Sequence, residues 1–337
     1  MRDIRIIKGF IFALTSVLIL AGCGDGGKKP GREDKTESRE IGKFTNFNAD
    51  SAYHYVDKQV SFGPRVPGTP SHKECRDYLF GKLQQYADTA IIQQFKTRLF
   101  NGEVITGYNI IASFNREQKN RLLLAAHWDS RPFADYDPDT SNYYTPIPGA
   151  NDGGSGTGVL IEIARQLQMK RPVQGIDIIL FDLEDYGEPS GSQYRGQSET
   201  WGLGSQYWSR NPHTINYRAR FGILLDMVGA SNATFLMEGY SMTYASRIVK
   251  KVWTLAGKLG YGNYFIFREG GYITDDHYYI NEIAGIPTIN IIHLDDRSAN
   301  GSFFDQWHTL GDDMSVIDKQ TLEVVGMTVI NVIYNRI

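Results

Sequence analysis

The chain has no long hydrophobic run. Its one early apolar stretch, from Gly9 to Leu20, is too short to span a bilayer comfortably. It also lacks a basic stripe, and a formal net charge of −3 over 337 residues makes it a poor nucleic-acid binder. No internal repeat is present, so solenoid architectures are excluded. No mid-chain linker breaks the sequence, which points to one globular domain from about residue 45 to the end. There is no GxSxG elbow, so a serine nucleophile of that type is not expected.

What the N-terminus does contain is Arg2, Arg5 and Lys8, the short apolar stretch, and then Leu20-Ala21-Gly22-Cys23. This is similar to bacterial lipoprotein signals, which implies cleavage before Cys23 and acylation of its sulfur. An uncleaved anchor helix is the alternative, and both readings tether the chain to a membrane. Removal of residues 1–22 takes away three basic residues and one acidic residue, leaving the remainder more acidic. Residues 23–44 form the lipidated cysteine and its tether, with no apolar side chain between residues 24 and 40 (GDGGKKPGREDKTESRE). After lipidation only Cys75 keeps a thiol, so no intrachain disulfide forms. Cys75 reads as a half-buried structural residue.

Four apolar runs each end in polar residues suited to metal or acid-base chemistry: RLLLAAHWD, IDIILFDLED, GILLDMVG and PTINIIHLDD. Runs without alternation read as strands buried on both faces, and ligands of such sheets bind outside the strands' carboxyl ends. His127, Asp129, Asp182, Glu184, Asp185 and Asp226 are therefore expected along one sheet edge. Helices are predicted over 48–60, capped by Asn48 or Asp50, and over 70–87, from about Gly153, over 241–259 and over 315–335. Asn101-Gly102 marks a hairpin between AIIQQFKTRLF and EVITGYNIIASFN. The fold class is α/β, with a mixed sheet that is antiparallel at one edge and parallel at its centre.

Asp152, in GANDGGSG, sits at the mouth of a helix, where it reads either as a plain N-cap or as a ligand with close backbone approach. Asp182, Glu184 and Asp185 leave a strand together, and like charges so close need a cation or raised pKa values. His308 lies in the aromatic loop SFFDQWHTLGDD. One aspartate, one acidic pair and one histidine would complete a tetrahedral zinc site with an open fourth position.

Through FGPRVPGTP, NIIA, AAHWDSR, PGANDGGSGTGVLIEIAR, ILFDLED, GLGSQYW, LLDMVGA, DDH and WHT in order, the chain resembles the bacterial zinc-dependent glutaminyl-peptide cyclotransferases, relatives of the co-catalytic zinc aminopeptidases. The resemblance implies a three-layer αβα sandwich around a mostly parallel sheet. It implies one zinc ion held by Asp152, Asp185 and His308, with Glu184 as general acid-base. Asp226 and Asp275 match acidic residues behind the metal, and Trp307 matches an aromatic wall of the substrate pocket. His127 and Asp129 match an HxD motif that supplies a second metal site in the aminopeptidases.

The implied substrates are peptides or proteins with N-terminal glutamine, cyclised to pyroglutamate with release of ammonia. The lipobox places the chain in the cell envelope on a lipid anchor, and with no exposed apolar helix face demanding a partner a monomer is expected. Two other functions stay open: a dinuclear zinc aminopeptidase, and a non-catalytic binding lipoprotein. Asn290 stands where animal cyclases carry a histidine, His293 and His277 read as structural, and His54, His72 and His213 receive no role. Tyr186 and Trp201 are potential pocket residues, but the family's spacing is not kept around them.

Overall fold

The computed structural model describes residues 44, 46–194 and 199–337. The expected signal segment, Cys23 and most of the tether lie outside the described residues. No described helix is long and apolar enough to cross a membrane.

A six-stranded sheet is built from β1 (Thr89–Arg98), β2 (Val104–Phe114), β3 (Arg121–His127), β4 (Gly175–Phe181), β5 (Gly222–Asp226) and, last in sequence, β8 (Thr288–Ile292). Their spatial order is β1-β2-β4-β3-β5-β8. The Asn101-Gly102 turn joins β1 and β2 antiparallel, β2 runs antiparallel to β4, and the remaining pairings are parallel. Every residue of β4 and β5 is buried, as the unbroken apolar runs require of strands covered on both faces.

The pleat sends alternate side chains to opposite layers. Leu122, Leu124, Ile176, Ile178, Ile223 and Ile289 join a large core with α1 (Ala49–Val60), α2 (Pro70–Tyr86), α3 (Gly154–Met169), α5 (Gly239–Lys258) and α7 (Lys319–Asn335). Leu123, Ala125, Ile179, Phe181 and Leu224 face the other way, onto Trp208 of α4 (Leu203–Arg210) and onto Ile280, which follows α6 (Asp276–Tyr279). This is the expected αβα sandwich.

Local signals fix the helix starts. Asn48, rather than Asp50, caps α1 by accepting from Ser51 N at 2.8 Å, an interaction worth about 1 kcal/mol. Thr69 caps α2, and Pro70 occupies a first-turn position where a missing N–H costs nothing. Cys75 is fully buried rather than half-buried, because α2 turns that face onto the sheet, and burial pushes its thiol up to about 12. The last helix begins at Lys319, after a 3-10 turn at Met314–Val316. A small parallel pair, β6 (Phe235–Met237) and β7 (Phe265–Glu269), was not foreseen; three residues are too few to show a period.

Candidate metal and catalytic centre

The carboxyl ends of β3, β4 and β5 lie side by side, so the residues that follow them converge. Asp152 arrives from the loop before α3. It is not a helix cap: Gly153 occupies that position and offers no side chain. Gly153 has φ +82°, and a Cβ there would lie 2.4 Å from the Asp129 carbonyl oxygen. Glycine is what lets the Asp152 turn close against β3. Arg65, fully buried, grips the same loop by donating to the carbonyls of Trp128 at 2.9 Å, Pro148 at 2.7 Å and Gly149 at 2.5 Å. Asp312 accepts from the backbone of Asn151 at 2.8 Å and Asp152 at 3.0 Å, tying the loop to the segment that carries His308.

Asp152, Asp185 and His308 meet. His308 Nε2 lies 3.4 Å from Asp185 Oδ1 and 3.7 Å from Asp152 Oδ2, and one donor atom from each of the three falls within 4.8 Å of the others. A tetrahedral ion with ligands at about 2.0–2.1 Å needs donor atoms about 3.3 Å apart, so the observed spacing fits zinc. The buried Asp185 Oδ2 accepts no hydrogen bond. Burial and the neighbouring Asp152 push the Asp185 carboxyl up, which a dication would relieve.

A second group, His127, Asp152 and Asp226, shares Asp152 but is closed differently. His127 Nε2 lies 3.0 Å from Asp152 Oδ1 and 3.2 Å from Asp226 Oδ1, the latter a hydrogen bond. Burial alone would lower the histidine's pKa, but hydrogen bonding to Asp129, Asp152 and Asp226 raises it well above its ordinary value. Burial pushes Asp226 up to about 7 despite its bond to His127, with Asp275 and Asp152 adding to the rise.

Asp129 holds the acidic pair from behind: its two oxygens accept from the backbone of Glu184 and Asp185, each at 3.2 Å. Leu183 has φ +58°, a turn that sends successive carboxylates different ways. Asp185 faces His308, whereas Glu184 lines the cavity and forms no hydrogen bond through its carboxyl group among the described residues. Burial, then Asp275, Asp276 and Asp185, raise the Glu184 pKa well above its ordinary value against the pull of His127. Asp275 is held by Asn290 Nδ2 at 2.6 Å.

Asp182 does not join the site, contrary to expectation. Its carboxylate turns inward to His72 Nε2 at 2.9 Å and to Tyr108 N at 2.7 Å, so its partner is a residue without an assigned role. His277 bonds Glu238 at 2.8 Å, and His293 is buried, stacked 6.2 Å from Phe304.

The cavity over these groups measures about 60 Å³ and is walled by Trp201, Trp307, Phe303 and Ile273. Drug-sized ligands need roughly 300 Å³ or more, so this space takes one side chain. Trp307 stacks 3.6 Å from His308, and Trp201 lies 6.1 Å away at an interplanar angle of 12°. Tyr186 packs instead among Phe95, Leu99 and Leu183. Larger cavities of about 580 Å³ beside α5 and 620 Å³ near Arg121 hold no comparable set of metal ligands. Chemistry rather than size locates the site. The sequence did not reveal Arg65, Arg131, Asp135 or Asp312, since no pattern separates a buried loop charge from a solvated one.

The chain belongs to peptidase family M28, whose model matches residues 109–333. Among solved structures it resembles a Bacteroides thetaiotaomicron glutaminyl cyclase bound to N-acetylhistamine, at 52% identity and TM-score 0.84, covering 86% of this chain and 98% of that one. A Zn-dependent exopeptidase from Parabacteroides distasonis is similar at 52% identity and TM-score 0.84, covering 86% and 99%. A glutaminyl-peptide cyclotransferase of Dictyostelium discoideum is 25% identical over 96% of this chain and 95% of its own length.

Proposed function

We propose that the protein is a zinc-dependent glutaminyl-peptide cyclotransferase, converting N-terminal glutamine of peptides and proteins to pyroglutamate and ammonia. The observation that carries the reading is the metal-fitting set Asp152, Asp185 and His308 beside a free, buried Glu184 in a one-side-chain aromatic cavity. The similarity to the B. thetaiotaomicron glutaminyl cyclase supports it.

In the reaction the substrate's α-amine attacks its own side-chain amide carbon, and ammonia leaves. Zinc, when bound by Asp152, Asp185 and His308, supplies Lewis-acid polarisation of the amide. Trp201 and Trp307 enclose the glutamine side chain and exclude water. Glu184 takes a proton from the attacking amine and gives it to the departing nitrogen, a task suited to a carboxyl whose pKa is raised by burial. Asp226 and Asp275, on the same cavity wall, position the amine. No enzyme nucleophile is required.

The aminopeptidase reading needs a second ion at His127, Asp152 and Asp226, whose donor atoms stand closer together, at 3.0 and 3.2 Å, than those of the first set. The cyclotransferase reading takes one zinc per chain. The catalytic domain is assigned to about residues 45–337, carried on a Cys23 lipid anchor in the cell envelope and acting as a monomer.

The test uses protein stripped of metal, reloaded with zinc and given a peptide beginning Gln-Ala. Zinc-dependent loss of ammonia with the peptide chain intact supports the assignment. Release of free glutamine moves it to aminopeptidase, and no reaction with Gln or Leu N-termini refutes both enzymes.

A further inference from the structure

Among the described residues, one buried ion pair in the long loop after β3 touches several parts of the site without belonging to the ligand set. Arg131 donates from Nε to Asp135 Oδ1 and from Nη2 to Asp135 Oδ2, each at 2.7 Å. Both side chains are 1% exposed. A bidentate pair fixes the plane of the carboxylate. Asp135 Oδ1 lies 3.3 Å from His308 Nδ1, the ring nitrogen opposite the one that faces Asp152 and Asp185. Arg131 Nη1 also donates to the Asp185 carbonyl oxygen at 3.1 Å and approaches its Oδ1 at 3.5 Å. The guanidinium lies 4.7 Å from the Trp201 ring, and Ser190 N donates to Asp135 Oδ2 at 2.8 Å.

The histidine needs such support. His308 sits at φ +55°, in the left-handed region that non-glycine residues seldom adopt. Its carbonyl accepts from Tyr136 N at 3.2 Å, next in sequence to Asp135. Among the described residues its Nδ1 has no aligned hydrogen bond, and the carboxylate within ion-pair distance of that nitrogen is Asp135.

We propose that Asp135, clamped by Arg131, is the positioning residue that keeps the proton of His308 on Nδ1 and presents Nε2 to zinc, so that this pair sets how tightly the metal is held. The inference rests on the zinc assignment to Asp152, Asp185 and His308. A carboxylate bonded to the far nitrogen of a ligating imidazole fixes its tautomer and raises its basicity, and loss of such a partner costs about 10–100-fold in metal affinity. A role confined to anchoring the loop through Ser190 would change stability and leave zinc affinity alone.

The first test needs no variant. In full-length protein labelled with 15N-histidine and loaded with zinc, the His308 ring, identified by its loss in His308→Gln, should carry its proton on Nδ1. A proton on Nε2 overturns the proposal. The second is zinc competition against a chromophoric chelator, with melting of the metal-free protein measured alongside. Asp135→Asn, which keeps the shape and one acceptor, should weaken zinc about tenfold while the metal-free melting profile is retained, and Arg131→Lys should move affinity in the same direction. Affinity within twofold of wild type in both variants overturns it. His308→Ala separates the two layers: if it keeps wild-type affinity, the zinc assignment itself is wrong. If it loses zinc while Asp135→Asn does not, only the positioning role fails.

Discussion

Replacing Glu238 by glutamine should cost about 3 kcal/mol of stability at neutral pH and almost none in strong acid. Glu238 is fully buried at the start of α5. It accepts from Tyr240 N at 2.8 Å, Ser241 N and Ser241 Oγ at 2.7 Å, Ile273 N at 3.0 Å and His277 Nε2 at 2.8 Å. Burial works against its charge, but the bond and charge of His277 and the backbone donors outweigh burial and bring its pKa from 4.5 to about 2. A depressed carboxylate stabilises the fold fully above its unfolded pKa and loses that contribution as pH falls through the folded one. The gap between the ordinary and the folded carboxyl pKa corresponds to about 3 kcal/mol.

The assay is urea denaturation of wild type and Glu238→Gln across pH. Other acids titrate in both proteins, so the difference isolates Glu238. The gap should be about 3 kcal/mol between pH 6 and 7 and should shrink by about 1.4 kcal/mol by pH 3.5, on the way to closing near pH 2. A gap that stays flat over that interval, or one below about 1 kcal/mol at neutral pH, refutes the reasoning. Because Ile273 walls the catalytic cavity, the variant should also raise KM.

Glu184→Gln should retain zinc in a chelator competition yet lose about 100-fold or more in turnover, the range for a positioned acid-base; a near-normal rate would remove the proton shuttle. His308→Ala should lose zinc, read by metal analysis after dialysis, with activity absent at ordinary metal concentrations. Gly153→Ala should destabilise the protein by about 1–2 kcal/mol from left-handed backbone strain, and by more if the Asp129 carbonyl, 2.4 Å from the new Cβ, has to move. An unchanged melting temperature would contradict that account.

The sheet was legible because strands buried on both faces must be apolar throughout, and their ends had to carry the polar residues. Glu184, Asp185 and Asp226 were located by that rule alone. The same rule misled for Asp182, whose partner His72 lies 110 residues away in sequence on a helix whose buried face shows no special pattern. Glu238, Arg131, Asp135 and Asp312 were invisible for a related reason. The burial of Arg131, Asp135 and Asp312 depends on long loops folding back over the sheet edge, and that of Glu238 on His277 reaching the start of α5; a charged residue outside a helix or strand reads as solvated until its partner is known. Trp201 was in doubt because sequence spacing along a loop says little about which ring reaches the cavity.

The choice between one ion and two turns on a single shared carboxylate. Asp152 divides its oxygens, Oδ2 facing His308 at 3.7 Å and Oδ1 facing His127 at 3.0 Å. On the first side the donor atoms stand apart at distances suited to a tetrahedral ion. On the second they stand closer, with Asp226 Oδ1 3.2 Å from the same His127 nitrogen. A second ion would have to widen the 3.0 Å approach of His127 to Asp152, a residue held by the tight Gly153 turn. Zinc titration of stripped protein at neutral pH should therefore end at one tightly held ion per chain, with activity complete at that point. Two ions of equal affinity, with activity rising until the second is bound, would show that the His127 set yields to metal and would reopen the aminopeptidase chemistry.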